Sequence, residues 1–143
     1  MVEKKVVLVD KSGNQIGLMP KLEAHQKGIL HRAFSIFLFN SKNQILLQKR
    51  SLIKYHSAGL WTNTCCSHPI DGEDIIDAGK RRLYEEMGIK TELKKEFEFT
   101  YKEVLGNEFT EHEFDHVLIG NFNGNPIINK DEVEDWKWMS LEE

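Results

Sequence analysis

Cysteine is scarce in this sequence, and its distribution excludes a disulfide scaffold. Cysteine occurs only at Cys65 and Cys66, which are adjacent. A bond between adjacent cysteines closes a tiny, strained loop and makes a poor structural disulfide. Free thiols suit a reducing compartment, and we therefore expect a cytoplasmic protein.

Long apolar runs and an excess of positive charge are also missing. No stretch approaches the roughly 18 apolar residues of a membrane span, and no apolar run of signal-peptide length follows residues 1–5. The formal net charge of −4 gives no general attraction to nucleic acid or to an anionic membrane. We expect neither as a partner, so any anionic substrate must be held by a local basic cluster.

Proline is rare as well, and Pro20, Pro69 and Pro126 are all isolated. No linker, repeat or low-complexity stretch interrupts the 143 residues. A chain of this length is the usual size of one domain and buries roughly two-thirds of its unfolded surface. We therefore expect residues 1–143 to form a single domain with its own core.

The pattern that remains alternates short apolar segments with turn residues. The segments that predict strands are 6–9, 33–39, 44–49, 96–101, 114–122 and 136–139. Turn residues at 11–14 and 40–43 break the chain between strands, and the second turn predicts a hairpin.

One strong helix is predicted over residues 73–87. Its apolar face is formed at helical spacing by Ile76, Leu83 and Met87. Gly79 allows a neighbour to approach closely, Asp71 is a candidate N-cap, and Gly88 is a candidate stop. Strands around one central helix predict an α/β domain with a mixed sheet.

The last residues, 140–143, look like the first turn of a further helix with Ser140 as its N-cap. A domain should not end where a helix begins. We therefore expect that the natural chain continues or that a final helix has been removed.

A chemically dense loop, residues 61–69, precedes the central helix. Its sequence is Trp-Thr-Asn-Thr-Cys-Cys-Ser-His-Pro. Within the helix, Arg81 can pair with Glu85 and Arg82 with Glu86, because partners at this spacing are neighbours on a helix surface. Considered alone, such a face is typical of a solvated helix with ordinary ion pairs.

The loop and helix together resemble the Nudix box, a loop–helix signature. The positions that match in register are Glu73, Arg81, Leu83, Glu85, Glu86, Gly88 and Ile89. Ser67 stands where the first Gly belongs, and Arg82 stands where a Glu belongs. In Nudix hydrolases the helix carboxylates gather Mg²⁺ ions that activate water against a diphosphate. Arg82 removes a ligand and adds a cation, which weakens the case for hydrolysis while keeping the scaffold.

A narrower resemblance covers residues 21–139. The loop 61–69 is similar to the Cys-containing active-site segment of type I isopentenyl-diphosphate isomerases, which have the Nudix fold. His25 and His31 resemble the N-terminal histidine pair of that family, and residues 110–113 resemble its Glu-x-Glu strand. The resemblance implies an α/β Nudix fold in which a mixed β-sheet is sandwiched by helices, here with the C-terminal helix missing.

The resemblance also implies two metal sites. The ligands of the first are His25, His31, His68, Glu111 and Glu113. Three imidazoles and two carboxylates suit a first-row divalent ion such as Mn²⁺, Zn²⁺ or Fe²⁺, and Glu111 and Glu113 share one face of a strand. The second site places Mg²⁺ on Glu86, bridging to the substrate diphosphate. The alternative for the two strand glutamates is an exposed edge-strand face.

A diphosphate needs cations as well. The residues that fit the basic positions of the family are Lys21, Arg50, Lys54 and Arg82. Arginine offers a planar fork for phosphate oxygens and lysine a point charge. Ser67 adds a hydroxyl contact. Taken singly, each basic residue is better explained by solubility.

The implied reaction converts a homoallylic into an allylic diphosphate by a proton shift. Protonating an alkene gives a tertiary carbocation, so the acid must be well placed and water excluded. The resemblance gives the two proton-transfer roles to Cys66 and Glu113, with Tyr101 bonded to Glu113, and Trp61 offers π-electron density to the cation. Which group protonates the alkene stays open. The alternative for Cys66 is a small buried hydrophobe, the role we expect of Cys65.

Two other functions stay open beside the isomerase. One is a Nudix hydrolase that cleaves a nucleoside or other diphosphate with Mg²⁺, and the other is an inactive Nudix module that binds a ligand. Cys66 and Arg82 favour the isomerase over the hydrolase. We expect a small-molecule diphosphate as the substrate, and either a monomer or a homodimer.

Overall fold

The computed structural model describes residues 4–54, 57–106 and 108–141, which contain two helices and nine strands. The helices are α1 (Lys21–Lys27) and α2 (Ile75–Met87). The strands are β1 (Lys5–Val9), β2 (Gln15–Pro20), β3 (His31–Phe39), β4 (Gln44–Arg50), β5 (Trp61–Thr62), β6 (Cys65–Ser67), β7 (Lys94–Gly106), β8 (Phe109–Asn121) and β9 (Val133–Ser140). Neither helix is long and apolar enough to cross a membrane.

Strand β3 lies at the centre of a mixed sheet. It runs parallel to β8 and antiparallel to β1, β4 and β6. Further antiparallel pairs join β1 to β2, β7 to β8, and β4 to both β5 and β9. The parallel register sets His31 opposite Glu113. The predicted mixed sheet is confirmed, as is the hairpin at residues 40–43.

The two helices lie on opposite faces of this sheet. Gly79 of α2 approaches it so closely that an added Cβ would lie 2.7 Å from Cδ1 of Leu118 and 3.5 Å from Cδ1 of Ile36. His25 of α1 instead adjoins His31, with ring centroids 5.2 Å apart. His31 and Ile36 are an odd number of residues apart on β3, so their side chains point to opposite faces. The predicted sheet between helices is therefore confirmed.

The core fills the space between the sheet and α2. Its buried members include Phe34, Ile36, Leu38, Leu46, Cys65, Leu83, Met87 and Leu118. Each large side chain among them stabilises the fold by roughly 1.5–3 kcal/mol through removal from water. The apolar helix face predicted from the sequence lies here, with Ile76 packed against it, and so does Cys65, as expected.

The N-terminus of α2 corrects one prediction. Asp74, not Asp71, caps the helix: its Oδ2 accepts from the backbone N–H groups of Ile76 at 3.0 Å and Asp77 at 3.3 Å. The Asp71 carboxylate is instead bonded to the Gln15 side chain at 2.9 Å. The helix therefore starts at Ile75, and it ends as predicted before Gly88, which has a positive φ of 66°.

Helix α1 was not predicted. It is short, begins after Pro20 and ends at Gly28 in the left-handed conformation. Strands β7, β8 and β9 extend beyond most of their predicted limits, although Phe122 falls outside β8. Ser140 is the last residue of β9 and, with residues 142–143 outside the described part of the chain, the predicted final helix turn is not tested.

Candidate active site

A cavity of about 550 Å³ is lined by residues of both helices and of the sheet. The predicted site residues that line it are Lys21, His25, Arg50, Lys54, Trp61, Cys66, Ser67, His68, Arg82, Glu86, Tyr101, Glu111 and Glu113. His31, which has no exposed surface, lies beside the lining residues His68 and Glu113. One cavity therefore brings together side chains from eight elements and their loops.

Four of these side chains converge on one point. A potential ligand atom from each of His25, His31, His68 and Glu113 lies within 4.8 Å of the others. His68 Nε2 is 2.9 Å from Glu113 Oε2 and 3.2 Å from His31 Nε2. Three imidazoles and a carboxylate at these separations form a donor set that fits a divalent metal ion.

Backbone carbonyls fix two of the imidazoles. His25 Nδ1 lies 2.9 Å from the carbonyl oxygen of Lys21, and His31 Nδ1 lies 2.8 Å from that of Ile29. A carbonyl can only accept, so each Nδ1 carries a hydrogen, and Nε2 is the nitrogen directed at the cluster. Burial lowers the pKa of His25 and lowers that of His68 to about 3. Neutral imidazoles are the form that binds a metal.

Glu111 lies outside this group of four, although it lines the same cavity. Burial and the neighbouring charge of Glu113 raise the pKa of Glu111 to about 7. The two carboxylates repel each other, which opposes the convergence that the sequence predicts. The structure thus brings together four of the five predicted ligands of the first site.

Glu113 is held from both sides of its carboxylate. Tyr101 pairs with it across β7 and β8, and the Tyr101 hydroxyl donates to Oε1 at 2.5 Å while Oε2 faces the histidines. Burial raises the pKa of Tyr101, and the charge of Glu113 raises it further. Burial alone would raise the pKa of Glu113, but bonds to His31 and His68 outweigh it and hold this pKa well below its usual range.

Cys66 points to the same sheet face as His31, since β6 pairs it with Ser35 and turns Cys65 towards the core. Its Sγ is 3.0 Å from Asn63 Oδ1 and 3.7 Å from Ser35 Oγ. Burial raises the pKa of the Cys66 thiol to about 12, which keeps it protonated. Cys65 is thus a core residue, as expected, whereas Cys66 lines the cavity.

The basic residues of the cavity lie near one another. Arg82 contacts Glu86 at 2.7 Å and Glu132 at 3.2 Å, and Lys54 also contacts Glu132. Burial, together with the nearby cations Lys54, Lys4, Arg50 and Arg82, lowers the pKa of Lys21 to about 8. Arg82 also contacts Glu85 at 2.7 Å, so three glutamates balance part of the charge of this group of cations. A group of several cations in one cavity suits a polyanionic group.

Comparison with known proteins identifies the group to which this geometry belongs. The sequence model of the NUDIX domain matches residues 29–143. Isopentenyl-diphosphate Delta-isomerase 2 of Aromatoleum aromaticum is 54 % identical over 142 residues, which are 99 % of this chain and 75 % of that protein. The chain belongs to the isopentenyl-diphosphate Delta-isomerase family. The resemblance predicted from loop 61–69, from the histidine pair and from residues 110–113 is thereby confirmed.

Other members of the isomerase family match over a similar span. Isopentenyl-diphosphate Delta-isomerase 2 of Photorhabdus laumondii is 56 % identical, with 98 % of this chain and 79 % of that protein covered. The enzyme of Serratia proteamaculans is 46 % identical, with 99 % and 79 % covered. These relatives make the chain a member of an enzyme family whose reaction is an isomerisation.

Solved structures with low sequence identity share the fold. A crystal structure from Deinococcus radiodurans has a TM-score of 0.79 at 17 % identity, covering 97 % of this chain and 85 % of that one. The MutT protein of Methanosarcina mazei has a TM-score of 0.66 at 20 % identity, covering 79 % and 78 %. The isomerase family thus shares its scaffold with other Nudix proteins, as predicted.

Several cavity residues of this isomerase-family chain were missed by the sequence reasoning. Asp115 follows Glu113 by two residues on β8 and accepts from the Ser35 hydroxyl at 2.7 Å. The alternation that paired Glu111 with Glu113 could have found Asp115, since it extends along the same strand face. Gln48, which donates to Glu86 at 3.0 Å, carries no comparable signal because only the folded sheet brings it there.

Proposed function

We propose that this chain interconverts isopentenyl diphosphate and dimethylallyl diphosphate in isoprenoid biosynthesis by a 1,3-allylic proton shift. One observation carries the proposal: a single cavity holds a thiol, Cys66, and a metal-ligand carboxylate, Glu113, beside a cluster of cations. A hydrolase needs carboxylates that activate water, whereas this cavity sets Arg82 beside Glu86. The isomerase is therefore the better supported function.

Cys66 and Glu113 are the two proton-transfer groups of this proposal. A proton added to the terminal alkene carbon gives a tertiary cation, with the π electrons forming the new C–H bond. Loss of a proton from the carbon on the diphosphate side of the cation leaves its electron pair as the allylic double bond. With the thiol protonated and the carboxylate ionised, the pair supplies one donor and one acceptor. Exchange of protons with solvent restores both groups.

Tyr101 acts on Glu113 in this scheme. Its hydroxyl donates to Oε1 and so orients the carboxylate, and it can relay a proton along the same bond. Trp61 lies at the cavity wall with 41 % of its surface exposed. The face of its indole can stabilise the cationic intermediate through its π electrons.

The first metal site in this proposal is the cluster of His25, His31, His68 and Glu113, joined by Glu111 as a fifth ligand. Imidazole-rich sites suit Mn²⁺, Zn²⁺ or Fe²⁺. A divalent ion there would stabilise the ionised form of the carboxylates and so tune their proton affinity. The buried convergence of four potential ligand atoms supports this assignment.

The second site is for the diphosphate with Mg²⁺. Glu86 lines the cavity, and we assign it to Mg²⁺, which commonly shares its remaining positions with water and phosphate oxygens. The residues assigned to the diphosphate are Lys21, Arg50, Lys54, Ser67 and Arg82. Their positions around one cavity and the crowding of positive charge around Lys21 support this role. The two free thiols support a cytoplasmic enzyme.

An assay of isopentenyl diphosphate conversion with Mg²⁺ tests the proposal. We expect Cys66→Ala and Glu113→Gln to lose roughly 100-fold or more in kcat, as positioned proton-transfer groups do. Cys65→Ala is the matched control, because its side chain lies in the core, and it should keep turnover near that of the wild type. Release of phosphate or pyrophosphate from nucleotides, unaffected by Cys66→Ala, would support the hydrolase instead.

A further inference from the structure

Asn63 is a cavity residue that has no role in the proposed reaction. It lies between β5 and β6, on the wall of the cavity. Its Nδ2 donates to the carbonyl oxygen of Ile36 at 2.8 Å and to that of Cys65 at 3.1 Å. Both amide hydrogens are therefore used by backbone acceptors of the central sheet.

These two bonds fix the orientation of the side chain. A rotated amide would set Oδ1 against two carbonyl oxygens, and a carbonyl cannot donate. Oδ1 must therefore face the other way, where it meets Thr62 Oγ1 at 3.0 Å and Cys66 Sγ at 3.0 Å. Oδ1 has two lone pairs and no hydrogen, so the hydroxyl of Thr62 and the thiol of Cys66 are the donors.

A second acceptor faces the same thiol. The Ser35 hydroxyl gives its single hydrogen to Asp115, whose buried Oδ2 lies 2.7 Å away. Ser35 therefore has only lone pairs to offer Cys66 Sγ, at 3.7 Å. A thiol hydrogen turns freely about the Cβ–Sγ bond unless acceptors hold it, and here the nearer acceptor is the immobilised oxygen of Asn63.

We propose that Asn63 is a positioning residue that holds the thiol hydrogen of Cys66 in one orientation inside the cavity. The inference rests on the proposed function, in which Cys66 transfers a proton to or from the substrate. Sheet carbonyls orient Asn63, and Asn63 orients the thiol. The rigid sheet thus fixes, before substrate binds, the direction of the thiol hydrogen and of the sulfur lone pairs that remain for the cavity.

The direct test is the infrared S–H stretching band of the metal-loaded chain. The difference spectrum between wild type and Cys66→Ala isolates the Cys66 thiol from that of Cys65. We expect this band at lower frequency than that of a simple alkyl thiol in an apolar solvent, and we expect Asn63→Ala to move it upward. A wild-type band at the frequency of the unbonded thiol would overturn the proposal, even if Asn63→Ala does not fold.

Kinetics supply the second test. We expect Asn63→Ala to lower kcat for isopentenyl diphosphate roughly 10- to 100-fold with little change in KM, and to cause no further loss when combined with Cys66→Ala. Asn123→Ala is the matched control, because Asn123 bonds Ser41 in a surface turn. Equal losses of kcat in Asn63→Ala and Asn123→Ala would overturn the role of Asn63. So would a loss of kcat in Asn63→Ala that follows a lowered Tm and leaves the S–H band where it is. An inactive wild type with a shifted band would instead overturn the proposed function.

Discussion

The hydroxyl of Tyr101 lies 2.5 Å from Oε1 of Glu113 and donates to it across the β7–β8 pair. The same carboxylate turns Oε2 towards His68 and His31. Oε1 thus faces a phenol, and Oε2 faces two imidazoles. In the proposed function, this division lets one carboxylate be a metal ligand and a proton-transfer group at the same time.

Removing the phenol tests that division. We expect Tyr101→Phe to lower kcat roughly tenfold or more with little change in KM, since the carboxylate loses its orienting donor and the substrate loses no direct contact. Tyr84→Phe is the control, because Tyr84 is an exposed residue of α2. Steady-state kinetics of both variants with isopentenyl diphosphate decide the matter, and equal effects would argue against the role of Tyr101.

The cluster of four potential ligands predicts that the protein binds a metal ion and that removing one ligand releases it. Elemental analysis of the purified protein should find about one transition-metal ion per chain, and His68→Ala should abolish it by removing a ligand of the buried group. His112→Ala should retain the ion, because His112 is bonded to the carbonyl oxygen of Gly28 at 3.1 Å and lies outside that group. Equal metal content in both variants would contradict the assignment.

The adjacent arginines of α2 offer a matched pair. Arg82 lines the cavity, whereas Arg81 bonds Glu73 at 2.8 Å outside it. Losing a charge-assisted hydrogen bond to a phosphate should cost about 1.5–3 kcal/mol, so we expect Arg82→Gln to raise KM roughly 10- to 100-fold. Arg81→Gln should lower Tm and leave KM unchanged. A similar KM for both variants would remove Arg82 from the diphosphate site.

His116 predicts a pH dependence of stability. Burial lowers its pKa from 6.5 to about 4, with Lys95 and Arg32 adding to this effect and Glu98, 3.4 Å away, opposing it. Between these pH values the unfolded chain binds a proton that the folded chain does not, so the free energy of unfolding falls as the pH is lowered. His116→Gln lacks this titrating group. Lowering the pH to 5 should therefore reduce its free energy of unfolding by on the order of 1 kcal/mol less than that of the wild type. Parallel stability curves from denaturant titrations would contradict this account.

The sequence predicted most of what depends on local pattern. Alternation placed Glu111 and Glu113 on one strand face, and helical spacing placed Leu83 and Met87 in the core. The sequence could not distinguish Asp71 from Asp74 as the cap, because both precede the helix. In the structure the Asp71 carboxylate accepts a hydrogen bond from Gln15 instead. That residues 1–143 form a single domain stays a prediction.

Features that depend on long-range packing were not predictable. Helix α1 is too short for its apolar spacing to stand out, yet it carries His25 and Lys21 into the cavity. Glu132 precedes β9 and bridges Lys54 and Arg82, a contact that follows only from the pairing of β9 with β4. The bonds of Asn63 likewise need β3 beside β6.

The most direct test of the central claim is a single reaction in D₂O followed by NMR. Isopentenyl diphosphate is incubated with the metal-loaded chain and Mg²⁺, and both carbon-bound deuterium and released phosphate are measured. A proton shift between Cys66 and Glu113 predicts dimethylallyl diphosphate that carries deuterium on carbon, with its diphosphate intact. Release of phosphate or pyrophosphate without deuterium on carbon would contradict it.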